Sequence, residues 1–423
     1  MKYCIADLAQ IIDGDRGKNY PKQNDFLTDG FCLFLNTGNV TKTGFSFENK
    51  QFISQEKSDS LRKGKLQRGD IVYTTRGTVG NAALFDNSIP YDHVRINSGM
   101  VILRPFTNIV CTEFLYQILK SDYYRPYIQK YCTGSAQPQL PIKTLSKIKL
   151  EIPSLKTQKR IADVLSAYDD LIENNERQIR LLEEAAQRLY KEWFIRLHFP
   201  GYESTPVIDG VPEGWEKVPL QNLIGYEIGG GWGSEFQTKE FEKPAFVIRG
   251  TDFPGVMHGN FTELPFRYHA DSNLKARILL NGDIIFEVSG GSRTEGVART
   301  VLVTQALLDF LKFPVMCASF CKLVRPADPK FSAYLFATFQ YLRQSGKTAE
   351  FDKRSASSIV NYRWKDFLIQ QDILIPTTNI MIDFNKIFSE IYQKAVTSSI
   401  SISILQEARD RLLPRLMLGE AAD

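Results

Sequence analysis

No run of 18 or more apolar residues occurs in the 423-residue chain, so no membrane-crossing helix is expected. The opening, MKYCIADLAQIIDGDRG, has no apolar segment after a basic start, so no secretory signal is expected there. Cysteine is scarce. The six (Cys4, Cys32, Cys111, Cys132, Cys317 and Cys321) form no CxxC pair, and Cys317 and Cys321 lie in an apolar run, VMCASFCKLV, that reads as a strand. Buried free thiols in a reducing cytoplasm are expected. The four histidines (His93, His198, His258 and His269) are scattered without ligand spacing, so no metal site is assigned.

Catalytic motifs are missing too. The Asn/Asp-Pro-Pro-Tyr/Phe run of an adenine methyltransferase does not occur. GGGWGSEF (229–236) is glycine-rich but lacks the lysine of a phosphate-binding loop, and reads as a turn. GDIIFEVS (282–289) hints at the Asp…Glu-x-Lys of metal-dependent nucleases, yet Ser289 stands where the lysine belongs and the Asp283–Glu287 gap is short. No catalytic residue is assigned.

What is present is a globular composition, 43% hydrophobic and 24% charged, with a net charge of +4. That balance permits a nucleic-acid partner without requiring one. The chain is also a repeat. LQRGDIVYTTRG (66–77) recurs as LLNGDIIFEVSGG (279–291), and ILRP (102–105) as LVRP (323–326). TGSAQPQLPIKTLSKIKLEIP (133–153) is answered by RSASSIVNYRWKDFLIQQDILIP (354–376). Each Ile-Pro opens a long helical pattern. The expected organisation is a first mixed domain (1–151), a central helix (152–197), a second mixed domain (198–375) and a C-terminal helix (376–423). The fold class is α+β: two globular α/β domains and two long helices forming an antiparallel coiled coil.

In the first rod, Ile161, Leu165, Tyr168, Ile172, Ile179, Leu182, Ala186, Leu189 and Trp193 recur at steps of three and four, with Asn175 in one slot. In the second, Phe384, Phe388, Ile391, Ala395, Ile402, Leu405, Leu412 and Leu416 do the same, with Ser398 and Arg409 in slots. These are heptad seams. One antiparallel register opposes Ile161 with Leu412, Tyr168 with Leu405, Asn175 with Ser398, Leu182 with Ile391 and Leu189 with Phe384. It leaves Arg409 near Leu165, at a rod end where its charge reaches water. The bland alternative is that each rod packs only on its own domain. A rod of forty residues is about 60 Å long at 1.5 Å per residue, which suits a spacer.

IPSLKTQKRIADVLSAYDDLIENNERQIRLLEEAAQRLYKEWF (152–194) closely resembles the central region of the specificity subunits of bacterial type I restriction–modification enzymes. TGSAQPQLPIKTLSKIKLEIP and VPEGWEKVPLQNL resemble the end and the start of their target recognition domains. The second half departs from the pattern: IPTTNIMIDF lacks the Leu-x-x-Gln that follows Ile-Pro in the first. The resemblance implies a non-catalytic subunit. Each recognition domain would read one half of a split target in double-stranded DNA, and the paired helices would set the gap. Two methyltransferase subunits would dock on the helices, and two motor–nuclease subunits would complete the enzyme. S-adenosylmethionine, ATP and Mg would belong to those partners, with no cofactor on this chain. A coiled-coil adaptor with protein-binding end domains is the alternative. A self-contained modification enzyme is a third reading, which the missing motifs oppose.

Base readout needs Arg, Lys, Asn or Gln on protruding segments. Candidates are Arg76 in TTRGTVGNAA, Gln137 and Gln139 in GSAQPQL, Arg293 in SGGSRTEG, and Lys353 and Arg354 in FDKRSAS. Lys63, Lys65 and Arg68 in RKGKLQRGD are candidates for phosphate contacts. Each is equally an ordinary solvated loop charge on sequence grounds.

Overall fold

Each Gly-Asp pair makes a turn into a strand, as its chemistry suggests. Gly69 and Gly282 both take φ 89°. Asp70 accepts the Gln67 amide and Asp283 the Leu280 amide, each at 2.7 Å. The strands Asp70–Thr74 and Ile284–Glu287 follow. Both aspartates are buried, and each is clasped by the arginine of the other repeated motif. Arg104 donates to the two Asp70 oxygens at 2.8 and 2.9 Å, and Arg325 to the two Asp283 oxygens at 2.7 and 2.7 Å. The Gly-Asp and Arg-Pro repeats are thus two halves of one device, a bidentate ion pair that fixes neighbouring strands.

The computed structural model describes residues 1–134, 138–261, 263–290, 296–354 and 359–418, without the side chains of 354 and 418. The contacts divide the chain into two units. One holds Met1–Asp170 with the chain from Gln406 onward; the other is Leu171–Leu405.

In the first unit an antiparallel sheet runs in the order Ala9–Asp13, Met100–Pro105, Asp70–Thr74, Ala82–Phe85. A smaller sheet has Cys32–Leu35 between an antiparallel Phe52–Ile53 and a parallel Val94–Ile96. Lys2–Cys4 pairs with Lys149–Glu151. The second unit repeats all three arrangements. Its four-stranded sheet runs Ile224–Gly229, Cys321–Pro326, Ile284–Glu287, Thr300–Leu302. Lys243–Ile248 sits between an antiparallel Phe266–His269 and a parallel Val315–Cys317, and Glu216–Pro219 pairs with Asp372–Ile375. The sequence duplication is therefore a duplication of topology, and the fold is mixed α+β. No described helix is long and apolar enough to cross a membrane.

One local expectation is corrected. VMCASFCKLV is not one strand: Val315–Cys317 ends, a turn at 318–320 intervenes, and Cys321–Pro326 begins in the other sheet. All six cysteines are free; Cys32, Cys317 and Cys321 are buried, whereas Cys4, Cys111 and Cys132 are only half-buried.

The rods are the helices Leu155–Tyr190, closed by a π turn at Lys191–Ile195, and Thr378–Leu418. Within the first unit, Ile161 and Leu165 share a core with Leu413 and Leu416. Gln158 is buried and locks the first rod to its domain. Its Oε1 accepts the Cys111 amide at 2.8 Å, and its Nε2 donates to the Ile109 and Pro153 carbonyls. In the second half the same step from Ile-Pro brings Met381, buried in an apolar core, which explains the departure from Leu-x-x-Gln. Within the second unit, Ile172, Ile179 and Ile402 cluster with Leu405, while Trp193 and Phe384 lie 6.0 Å apart by ring centroids. Rising numbers on one rod meet falling numbers on the other, so the rods run antiparallel there.

The seam differs in detail from expectation. Heptad steps at Leu165, Ile172, Ile179, Ala186 and Trp193 are buried throughout, as are Phe388, Ala395, Ile402 and Leu416. Of the residues singled out for pairing, Ile161, Phe384 and Ser398 are buried, whereas Tyr168, Asn175, Leu182, Leu189, Ile391, Leu405 and Leu412 are half-buried. Asn175 turns its amide onto its own helix, donating to the Leu171 carbonyl at 2.7 Å. Next to the buried slot Ser398, Ser399 donates to the Val256 carbonyl at 3.1 Å, and Gly259 packs against the Ser399 backbone so closely that a Cβ on Gly259 would lie 1.9 Å from the Ser399 carbonyl oxygen. Small side chains here let the second domain seat on its rod. Pairing and packing on the domain thus coexist. Arg409 is half-buried, so its charge keeps partial access to water while it donates to Asp169 at 2.9 Å and pairs with Asp410.

Candidate nucleic-acid interface

The four-stranded sheet of each unit has one end from which three loops leave. In the first unit Asp13, Met100 and Thr74 lie at that end, and the loops 14–22, 97–99 and 75–81 emerge there. In the second, Gly229, Cys321, Glu287 and Thr300 mark the same end, where loops 230–242 and 318–320 and the described residues 288–290 and 296–299 lie.

The loops are stitched in the same way in both units. Arg76 and Thr75 donate their amides to the Gly99 carbonyl; Ser289 and Val288 donate theirs to the Phe320 carbonyl. Arg76 bridges to Gln139, and Gln139 to Thr133. Correspondingly Ser289 pairs with Asn361, and Asn361 with Lys353. Leu140 donates to Thr75, and Tyr362 to Val288, both at 2.9 Å. Two glycines make close loop packing possible. A Cβ at Gly14 would lie 2.3 Å from the Asn97 carbonyl oxygen, and one at Gly230 2.2 Å from that of Ala318.

This stitching brings Arg76 and Gln139 together, both exposed. The Arg76 guanidinium has no partner among the described residues. Lys353 and the backbone of Arg354 lie on the matching strand of the second unit. Gln137 and Arg293 lie outside the described residues. The topological counterpart of Arg76 is Ser289, and that of Gln139 is Asn361, whose Oδ1 accepts the Ser289 hydroxyl at 2.9 Å. Sequence matching missed Asn361 because gaps differ between the halves.

Two other arginines at hand, Arg68 and Arg95, are already committed. Arg68 donates to the Asp86, Ile89 and Tyr91 carbonyls and to Asp92, and its guanidinium lies 4.2 Å from the Phe85 ring centre. Its guanidinium thus acts as a structural strut between backbone segments. Lys63 and Lys65 are exposed. Arg95 is buried, spending its donors on Ser58 and the Lys63 carbonyl. The residues that hinted at a nuclease are likewise consumed: Asp283 holds Arg325, and Glu287 binds Arg299 at 2.6 and 2.8 Å.

Sequence reading also missed the loop after the first strand. In the first unit it carries Arg16 and Lys18, exposed, and is ordered by buried Asp15, which accepts the Gly17 and Arg62 amides at 2.6 and 2.7 Å. In the second it carries Trp232 and Phe236, both exposed. A signal existed: Gly14-x-x-Gly17 followed by Tyr20 recurs as Gly230-x-x-Gly233 followed by Phe236.

Residues 1–184 match the type I restriction modification DNA specificity domain family. The type I restriction enzyme MjaIX specificity subunit of Methanocaldococcus jannaschii is 26% identical over 371 residues, covering 84% of this chain and 78% of its own. The HindI specificity subunit of Haemophilus influenzae is 23% identical over 98% of this chain and all of its own. A crystal structure of the type I restriction–modification S subunit from M. genitalium shares the fold, with a TM-score of 0.57 at 14% identity, covering 98% of this chain and 95% of that one. With its duplicated α+β domain and two heptad rods, the chain is similar over most of its length to specificity subunits of type I restriction–modification systems, and its residues 1–184 match their DNA specificity domain.

Proposed function

We infer that this chain is the sequence-reading, non-catalytic subunit of a type I restriction–modification assembly, acting on double-stranded DNA together with modification and restriction subunits. The observation that carries the reading is the repeated sheet end. Each unit builds the same three-loop surface, and exposed side chains project from it while neighbouring arginines are spent on structure. Two equivalent surfaces suit a target of two halves. The domain within 1–151 reads one half-site and the domain within 198–375 the other. The rods set the number of unread base pairs between them, and two methyltransferase subunits dock on them. Methyl transfer and ATP-driven cleavage, with their S-adenosylmethionine, ATP and Mg, belong to those partners.

The test is a domain exchange. Residues 1–150 are replaced by those of a relative, the chain is co-expressed with its methyltransferase subunit, and the methylated motif is read by sequencing. One half of the motif should change while the other half persists. A change in both halves together would refute independent reading. Specific DNA affinity should also fall steeply with salt, because phosphate contacts release counterions; salt-insensitive or absent DNA binding would favour the adaptor.

A further inference from the structure

The two sheet ends share topology but differ in chemistry. The first presents Arg16, Lys18, Arg76 and Gln139, all exposed and polar. The second presents large apolar side chains in the matching loops: Trp232 and Phe236 after the first strand, and Phe320 in the turn between Val315–Cys317 and Cys321–Pro326. They are 41%, 73% and 55% exposed. Three exposed aromatics in adjoining loops are costly in water. They are also held in place. The Phe320 carbonyl takes two amides, Ser234 bridges to Tyr268, and the Arg267 guanidinium lies 5.0 Å from the Trp232 ring centre. Lys353 and Asn361 are exposed beside them on the strands paired through Ser289. The surface therefore presents exposed aromatic side chains flanked by cationic and amide groups, at the position where the first unit exposes polar ones and its counterpart of Phe236, Tyr20, is half-buried.

In the major groove one base-pair feature is apolar, the 5-methyl group of thymine. We propose that the second domain reads its half-site through thymine methyl groups, contacted by Phe236 and Phe320 with Trp232 beside them, whereas the first domain reads by hydrogen bonds from Arg76 and Gln139. This rests on the specificity reading above and names the chemistry of one half of it.

The experiment uses the full chain co-expressed with its methyltransferase subunit, and duplexes carrying its methylated motif. Half-sites are assigned to domains by the exchange of residues 1–150. Thymines are replaced by deoxyuridine in one half-site at a time, which removes the methyl group and leaves base pairing intact. Replacement in the second domain's half-site should weaken binding about fourfold per thymine, the worth of one buried methyl-sized group. Replacement in the first half-site should leave affinity unchanged. In the double variant Phe236→Ala/Phe320→Ala, whose side chains are largely in solvent, the sensitivity to deoxyuridine should vanish while the first half-site is still recognised. A second half-site without an A·T pair, equal affinity for thymine and deoxyuridine there, or sensitivity that survives in the double variant would each overturn the proposal. Loss of all selectivity for the natural motif would instead overturn the specificity reading.

Discussion

Arginine has two uses in this protein, and neighbours decide between them. Arg68 and Arg76 are eight positions apart, both in polar loops of the first unit. Arg68 is caged by three backbone carbonyls, a carboxylate and a phenyl ring. Arg76 is fixed through its backbone and leaves its guanidinium in solvent. Arg76→Ala should therefore relax one base position of the first half-site at a cost of about 1–3 kcal/mol in binding, with the melting temperature unchanged. Arg68→Ala should lower stability by about 1–2 kcal/mol and leave the motif intact. Methylome sequencing and thermal melts of both variants separate the roles. A uniform loss of affinity over all sequences for Arg76→Ala would make it a phosphate contact. The candidate role of Arg76 was legible because glycine and small residues surround it. The strut role of Arg68 was not, because its partners lie 18 to 24 residues away.

At the scale of elements, the link between the first domain and both rods depends on Asp169. Its carboxylate accepts from Gln117 at 2.5 Å, Lys120 at 2.6 Å and Arg409 at 2.9 Å. Burial by itself would raise its pKa, but Lys120, Gln117 and Arg409 outweigh it and hold the group below the ordinary carboxylate value of 3.8. A depressed carboxylate contributes stability above its unfolded pKa and loses it as the pH falls through the lower, folded value. Asp169→Asn, which leaves buried Lys120 without its counter-ion, should cost about 3 kcal/mol at neutral pH. The gap in melting temperature between the parent and this variant should close as the pH drops below 3.8 toward the folded value. A gap unchanged in acid would mean that the pair adds nothing electrostatic. The heptads announced the rods, yet only packing showed which line of each seam is deepest, because steps of three and four fit two neighbouring stripes equally well.

For the molecule as a whole, the boundary between units falls after Asp170 on one rod and after Leu405 on the other. Adding one heptad at both points preserves the seam and lengthens each rod by about 10 Å at 1.5 Å per residue. If the rods set the gap, the half-sites keep their bases and the unread spacer grows by about three base pairs, at about 3.4 Å each. The methylated motif of this double-insertion chain is the measurement. An unchanged spacer with full methylation would leave the rods only a docking role.

Duplication, rod length, the absence of catalytic motifs and the family resemblance were all legible in the linear sequence. Each rests on periodicity or on residues close together in the chain, such as the Gly-Asp turns and the Ile-Pro helix starts. Tertiary structure alone decided what the repeated motifs are for. Asp70 meets Arg104, and Asp283 meets Arg325, across 34 and 42 residues. It alone decided that Asn361 answers Gln139, and that an aromatic surface stands in the second unit where a basic one stands in the first. Strand pairing is non-local, so loops of unequal length converge on one sheet end without leaving a common spacing in the sequence.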